Sequence, residues 1–127
     1  LAYLDLMINK RAKNYILYQA AAERNQNIQP LNTNHMDLVS NFAFPVVFKS
    51  KELSVSYREI FKSNQIEIRP IVGGNITQQP FFKKYFGESY RMPNAELIHE
   101  QGFYIPNNPE LTSSELNTIT ETISELL

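Results

Sequence analysis

Glu67 and Arg69 stand two residues apart in Ile66-Glu67-Ile68-Arg69-Pro70, and Gly73-Gly74-Asn75 follows almost at once. In an extended segment, residues two apart share a face. A carboxylate and a guanidinium would therefore point outward together while Ile66 and Ile68 turn inward. Pro70 cannot donate to a ladder, which ends regular pairing or places the segment at an edge. Gly73-Gly74 permits backbone angles and close approaches that a Cβ forbids. Such a rim suits a polar, anionic ligand: the arginine offers a planar fork of donors to a phosphate or sugar oxygen, and the glutamate accepts from ligand hydroxyls. The same pair could equally be a plain surface ion pair, and the residues alone leave both readings open.

Other candidates carry less. His35 and His99 lie in different elements without a ligand-spaced companion, which favours structural or surface roles over a metal site. Glu96 and Glu100, one helical turn apart around His99, read as a solvated face. No serine occupies a nucleophile elbow. Gly73-Gly74 lacks the pattern of a dinucleotide fingerprint or a P-loop and reads as a tight turn. Phe81, Phe82, Tyr85 and Phe86 could wall a pocket, but core packing is the favoured reading. No catalytic residue is assigned.

The 127 residues amount to one domain, able to bury about 65% of its unfolded surface. A net charge of −1 gives no basic footprint for nucleic acid. No apolar run approaches the roughly 20 residues needed to span a bilayer, and no signal-peptide order opens the chain, so no membrane partner is expected. The absence of cysteine excludes a disulfide framework and a thiolate metal site and fits a reducing cytoplasm. The chain opens on Leu-Ala-Tyr-Leu without an initiator methionine, as a fragment of a longer protein would.

The elements that must position the Glu67–Arg69 rim follow from periodicity. Residues 1–26 read as a helix with Leu1, Leu4, Ile8, Ala12 and Tyr15 on one stripe. An Asn- and Gln-rich loop with Pro30 follows. Phe42 to Phe48 alternates as a strand, with Phe42, Phe44, Val46 and Phe48 on one face and Pro45 implying an unpaired side. Ser54 is the expected N-cap of a helix running to about Asn64, with Val55, Ile60 and Phe61 inward. After the strand at 66–70, short helices begin at Gln79-Pro80 and at Pro93, the second stopped by Gly102. Phe103-Tyr104-Ile105 reads as a third strand. Thr112 and Glu115 form a capping box for a last helix carrying Leu116, Ile119, Ile123 and Leu126. The expected class is α+β: a small three-stranded sheet flanked by helices, with residues 1–26 as a linking helix and 38–127 as the small domain.

The run Ile66-Glu67-Ile68-Arg69-Pro70, then Gly74-Asn75, Gln79-Pro80 and Phe103-Tyr104-Ile105-Pro106-Asn107, resembles the C-terminal small domain of the DegT/DnrJ/EryC1/StrS sugar aminotransferase and dehydratase family, which are fold-type-I pyridoxal-phosphate enzymes. Leu4-Asp5-Leu6-Met7 to Asn14 is similar to the helix joining that family's two domains, and Ser40-Asn41-Phe42-Ala43-Phe44-Pro45 to its first small-domain strand. Ile-Val-Gly-Gly-Asn after Arg69-Pro70 is similar to the branch that removes the 3-hydroxyl of 4-keto-6-deoxy nucleotide sugars. Two positions depart from the pattern. Gln65 stands where a glycine usually precedes the strand, and Pro106 and Asn108 replace the usual Gly and His around Asn107.

The resemblance implies a cytoplasmic enzyme of deoxysugar biosynthesis, supplying O-antigen or lipopolysaccharide and working as a homodimer on a nucleotide sugar. Pyridoxamine phosphate or pyridoxal phosphate would serve as electron sink, bound mainly by a large N-terminal domain that also supplies the base. This chain would contribute a substrate-binding wall of Glu67, Arg69, Gly74, Asn75, Ser40, Asn41 and Asn107, and would be inactive alone. The alternatives are the same domain of a nucleotide-sugar 4-aminotransferase and a free-standing, non-enzymatic α+β binding module.

Overall fold

Uninterrupted by Gly or Pro, the first helix α1 spans Ala2–Arg24 in a computed structural model that describes residues 2–87 and 90–127. Its buried face lies further along the chain than the expected stripe. Tyr15 is buried, but Leu4 is exposed, Ile8 and Ala12 are half-buried, and Leu1 lies outside the described residues. Asn14, Tyr15, Tyr18, Ala21 and Ala22 form the inward face, at helical spacing. Both tyrosine rings meet Phe44 edge-on, with centroids 5.0 and 5.5 Å away. Asn25 then leaves the helix. Its buried amide donates to the Tyr57 hydroxyl and to the carbonyls of Ile123 and Glu125, joining this turn to the end of the chain.

Strand β1 (Ala43–Val47) pairs antiparallel with β2 (Gly102–Pro106), setting Phe44 opposite Ile105 and Val46 opposite Phe103. Phe44, Val46, Phe48, Phe103 and Ile105 are all buried. Phe48 stacks on Tyr57 at 4.4 Å and lies 5.3 Å from Phe103, which Phe61 also meets at 5.3 Å. Pro45 sits opposite Tyr104, whose N–H and carbonyl are spent on Arg69 on the other side, so its missing N–H deprives β2 of no bond. Phe42 corrects the expectation. The backbone bends there, ahead of the strand, and the ring is exposed instead of joining the core.

Helix α2 covers Lys51–Ser63 and begins a turn earlier than expected. Ser50, not Ser54, is the N-cap, its hydroxyl accepting from the Leu53 N–H at 3.2 Å. Lys51, Glu52 and Leu53 are good helix formers and readily extend the helix backwards. The inward face shifts accordingly to Ser54, Tyr57 and Phe61, and Val55 is exposed. At the far end, the Gln65 N–H donates to Lys62 O and the Ile66 N–H to Phe61 O. This is a Schellman stop. Gln65 occupies its left-handed position at φ 58°.

The class is α+β with a small antiparallel sheet, as expected, but the segment 66–70 does not complete a third strand. It meets β2 at one bridge, Arg69 N–H to Tyr104 O at 3.0 Å and Tyr104 N–H to Arg69 O at 2.8 Å. Continuing that register sets Glu67 opposite Pro106, which has no N–H to give, while Pro70 and the turn that follows end it on the other side. Ile66 is buried and Ile68 half-buried, so the inward half of the alternation holds.

A turn closed by Gly74 N–H to Ile71 O follows, with Gly73 and Gly74 at φ 77° and 56°. Asn75 then caps a 3-10 turn at Ile76–Gln78. Helices α3 (Pro80–Phe86) and α4 (Pro93–Gln101) start on prolines as expected. The α3 aromatics are not core. Phe81, Tyr85 and Phe86 are exposed, and Phe82 stacks on Phe86 at 4.7 Å, because α3 packs against the 3-10 turn instead of the sheet. Helix α5 (Ser113–Ser124) carries the capping box and packs on α1 through buried Ile119 and Ile123. Leu126 falls beyond its end and is exposed.

Candidate functional site

The core side chains leave the other face of the sheet to short or polar residues. Phe42, Ala43, Glu67, Arg69, Tyr104 and Pro106 line an open cleft of about 140 Å³ there. Arg69 reaches it because the single bridge to Tyr104 brings the 66–70 segment beside β2. Both Arg69 contacts fall on one oxygen: Nε and Nη2 each lie 2.7 Å from Glu67 Oε1. The bond to Glu67, the charge of that carboxylate and then Tyr104 hold the guanidinium above its ordinary value, so it stays charged at any working pH. Phe42 meets the Tyr104 ring edge-on at 5.9 Å. The cleft thus sets an exposed ion pair beside an aromatic corner.

The other predicted site residues are placed differently. The Asn75 side chain is buried, and its carbonyl oxygen accepts from Thr77 N at 3.0 Å and Thr77 Oγ1 at 2.7 Å. Gly74 lies against the His99 ring. Ser40 donates to the carbonyl of Ile8 in α1 at 3.1 Å. Asn41 is exposed, and its carbonyl accepts from Asn107 Nδ2 at 2.9 Å. Asn107 is fully buried and also donates to Arg11 O in α1 at 3.0 Å. Glu67 and Arg69 are brought together in the cleft, while Gly74, Asn75, Ser40, Asn41 and Asn107 are not among the residues that line it.

Phe42, Tyr104 and Pro106 went unassigned from sequence. Phe42 reads as one more aromatic in an alternating strand, and the register that sets Arg69 against Tyr104 is a long-range pairing. The one available signal was Tyr104, a hydroxyl-bearing ring between Phe103 and Ile105.

The residues present do not fit a pyridoxal-phosphate site of their own. No lysine lines the cleft among the described residues, and its one guanidinium is already held by Glu67. No group of three or more His, Cys, Asp or Glu capable of holding a metal occurs among the described residues. Nor is any described helix long and apolar enough to cross a membrane.

A helix-flanked antiparallel sheet, with an ion pair beside an aromatic corner on its outer face, defines a small α+β domain with an open cleft on that face. The family model of the DegT/DnrJ/EryC1/StrS aminotransferases matches residues 1–124, and the chain belongs to that family. Among solved structures, GDP-4-keto-6-deoxy-D-mannose-3-dehydratase of E coli, with bound hydrated PLP, is similar at TM-score 0.78 and 24% identity, over 96% of this chain and 32% of that one. PseC of Helicobacter pylori, an aminotransferase of pseudoaminic acid biosynthesis, is similar at 0.72 and 18%, over 91% and 31%. The sugar aminotransferase CalS13 of Micromonospora echinospora is similar at 0.72 and 13%, over 92% and 30%. The chain spans about a third of the length of these structures. No curated protein matches.

Proposed function

We propose that this chain is the C-terminal small domain of a nucleotide-sugar 3-dehydratase that uses pyridoxamine or pyridoxal phosphate, and that its cleft forms part of the substrate-binding wall. The Glu67–Arg69 pair in the cleft carries this reading, because it is a preformed, exposed donor–acceptor set on the sheet's outer face. Arg69 offers directed donors and Glu67 an exposed carboxylate, so the chain binds and orients while another domain of the same protein holds the cofactor and the base. The cofactor, when bound there, supplies the electron sink for loss of the sugar 3-hydroxyl. Homodimeric assembly, a cytoplasmic location and a place in O-antigen or lipopolysaccharide sugar synthesis belong to the same proposal. It is supported by the family membership and by the likeness to a 3-dehydratase, one of whose variants was solved with GDP-perosamine.

The test is product analysis with the full-length protein, a 4-keto-6-deoxy nucleotide sugar and pyridoxamine phosphate. Loss of the 3-hydroxyl, followed by NMR, is expected. Accumulation of a 4-amino sugar instead would make the protein the aminotransferase that PseC and CalS13 resemble in fold. The chain by itself, mixed with pyridoxal phosphate, is expected to give no stable, stoichiometric visible band.

A further inference from the structure

Phe42 is 64% exposed although it lies next to a strand whose other large apolar residues are buried. Its backbone is nevertheless fixed. The Phe42 carbonyl accepts from the Asn107 N–H at 3.0 Å, and the preceding carbonyl, of Asn41, accepts from Asn107 Nδ2 at 2.9 Å. The ring rests edge-on against Tyr104, so it is held in place and still faces water. An exposed aromatic ring on a rigid mount, inside a cleft, is a stacking surface.

Its neighbours narrow the choice of ligand. Arg69 Nε and Nη2 both meet Glu67 at Oε1, and the Glu67 carboxylate is largely exposed. An exposed carboxylate therefore shares the cleft with the ring. The carboxylate and guanidinium also cancel, so the lining carries no net positive charge to hold a diphosphate. The cleft suits the uncharged, planar end of a nucleotide better than its anionic middle.

We propose that Phe42, backed by Tyr104, is the platform on which the base of the nucleotide stacks, with Glu67 and Arg69 reading the polar edge of that base. This rests on the nucleotide-sugar reading above and assigns the cleft to one end of the substrate. Phe42 is then a specificity-determining residue that acts on binding.

The test uses the full-length enzyme, with GDP, UDP, dTDP and inorganic pyrophosphate as competing ligands. Phe42→Ala and Phe42→Leu should each weaken the tightest of the three nucleoside diphosphates by about 10- to 100-fold and leave pyrophosphate inhibition unchanged. Phe42→Trp should restore most of the loss, and the effect on turnover should fall on KM more than on kcat. The platform assignment is overturned if nucleoside diphosphate and pyrophosphate weaken equally, or if neither weakens. It also fails if only the intact nucleotide sugar loses affinity, since the ring then serves the sugar. If none of the nucleoside diphosphates competes in the unaltered enzyme, the nucleotide-sugar reading itself is what fails.

Discussion

A methyl group on Gly74 would stand 2.5 Å from Nδ1 and 2.9 Å from Cε1 of the His99 ring, so the turn after Arg69 and helix α4 meet with no room for a Cβ. Gly74 also holds φ at 56°, where an L-residue is strained. Gly74→Ala should therefore lower stability by about 1–2 kcal/mol, against about 0.5 kcal/mol or less for an ordinary surface change. Because His99 is a surface side chain, His99→Ala should recover the steric part and leave the backbone part. Chemical denaturation of both single variants and the double variant separates the two. An additive result would mean that the ring does not set the cost.

The stop of helix α2 predicts a gain. Gln65 holds the left-handed position of a Schellman motif that favours glycine. Gln65→Gly should stabilise the chain by about 0.5–1 kcal/mol, the relief of strain exceeding the extra freedom of the unfolded chain. Gln65→Val should destabilise it, since a β-branched residue tolerates positive φ poorly. Urea midpoints in opposite directions for the two variants are the expected result.

Arg69 should serve the ligand more than the fold. The guanidinium is exposed and its ion pair with Glu67 lies at the surface, so Arg69→Ala should leave the melting temperature nearly unchanged. In the full-length enzyme it should lower kcat/KM by about one to two orders of magnitude. Arg69→Lys should recover part of this, keeping the charge without the planar fork. Its pKa is raised, so whatever stability its charge contributes is present throughout the range below its unfolded value and is lost only in strong alkali. No pH dependence near neutrality should trace to it. A sharp fall in melting temperature with normal kinetics would falsify the assignment.

The capping box of α5 sets the sign of an acid effect. Hydrogen bonds from the Thr112 side chain and then from its backbone N–H hold the Glu115 carboxyl below its ordinary value. A lowered folded pKa contributes stability that is complete above the unfolded value of 4.5 and disappears as pH falls through the folded one. Glu115→Gln keeps the box but should flatten the stability profile below about pH 4.5. Thr112→Ala should cost about 1 kcal/mol at neutral pH and flatten the same limb.

Much of this was legible from local pattern. The Thr112–Glu115 box, the helix starts at Pro80 and Pro93, the core face of Phe44, Val46 and Phe48 and the shared outward face of Glu67 and Arg69 all follow from spacing within a few residues. Distant pairing was not legible. Arg69 meets Tyr104 across 35 positions, and the lone bridge depends on Pro106 lying where a donor was needed. The bend at Phe42 and the surface position of the α3 aromatics have the same origin, for each is decided by what the rest of the fold leaves uncovered. Asn41 and Asn107 show the limit of reading polar residues as ligand contacts. Here the Nδ2 of one buried side-chain amide is taken up by two backbone carbonyls, while its Oδ1 is buried without a partner.

That amide has a mechanical meaning. Asn107 Nδ2 holds the carbonyl of Arg11, midway along α1, and the carbonyl of Asn41, one residue before the exposed ring of Phe42. The long helix and the rim of the cleft are thereby bolted to one point at the end of β2. The placing of α1 and the placing of that rim are therefore not independent, because both hang on the two hydrogens of one nitrogen.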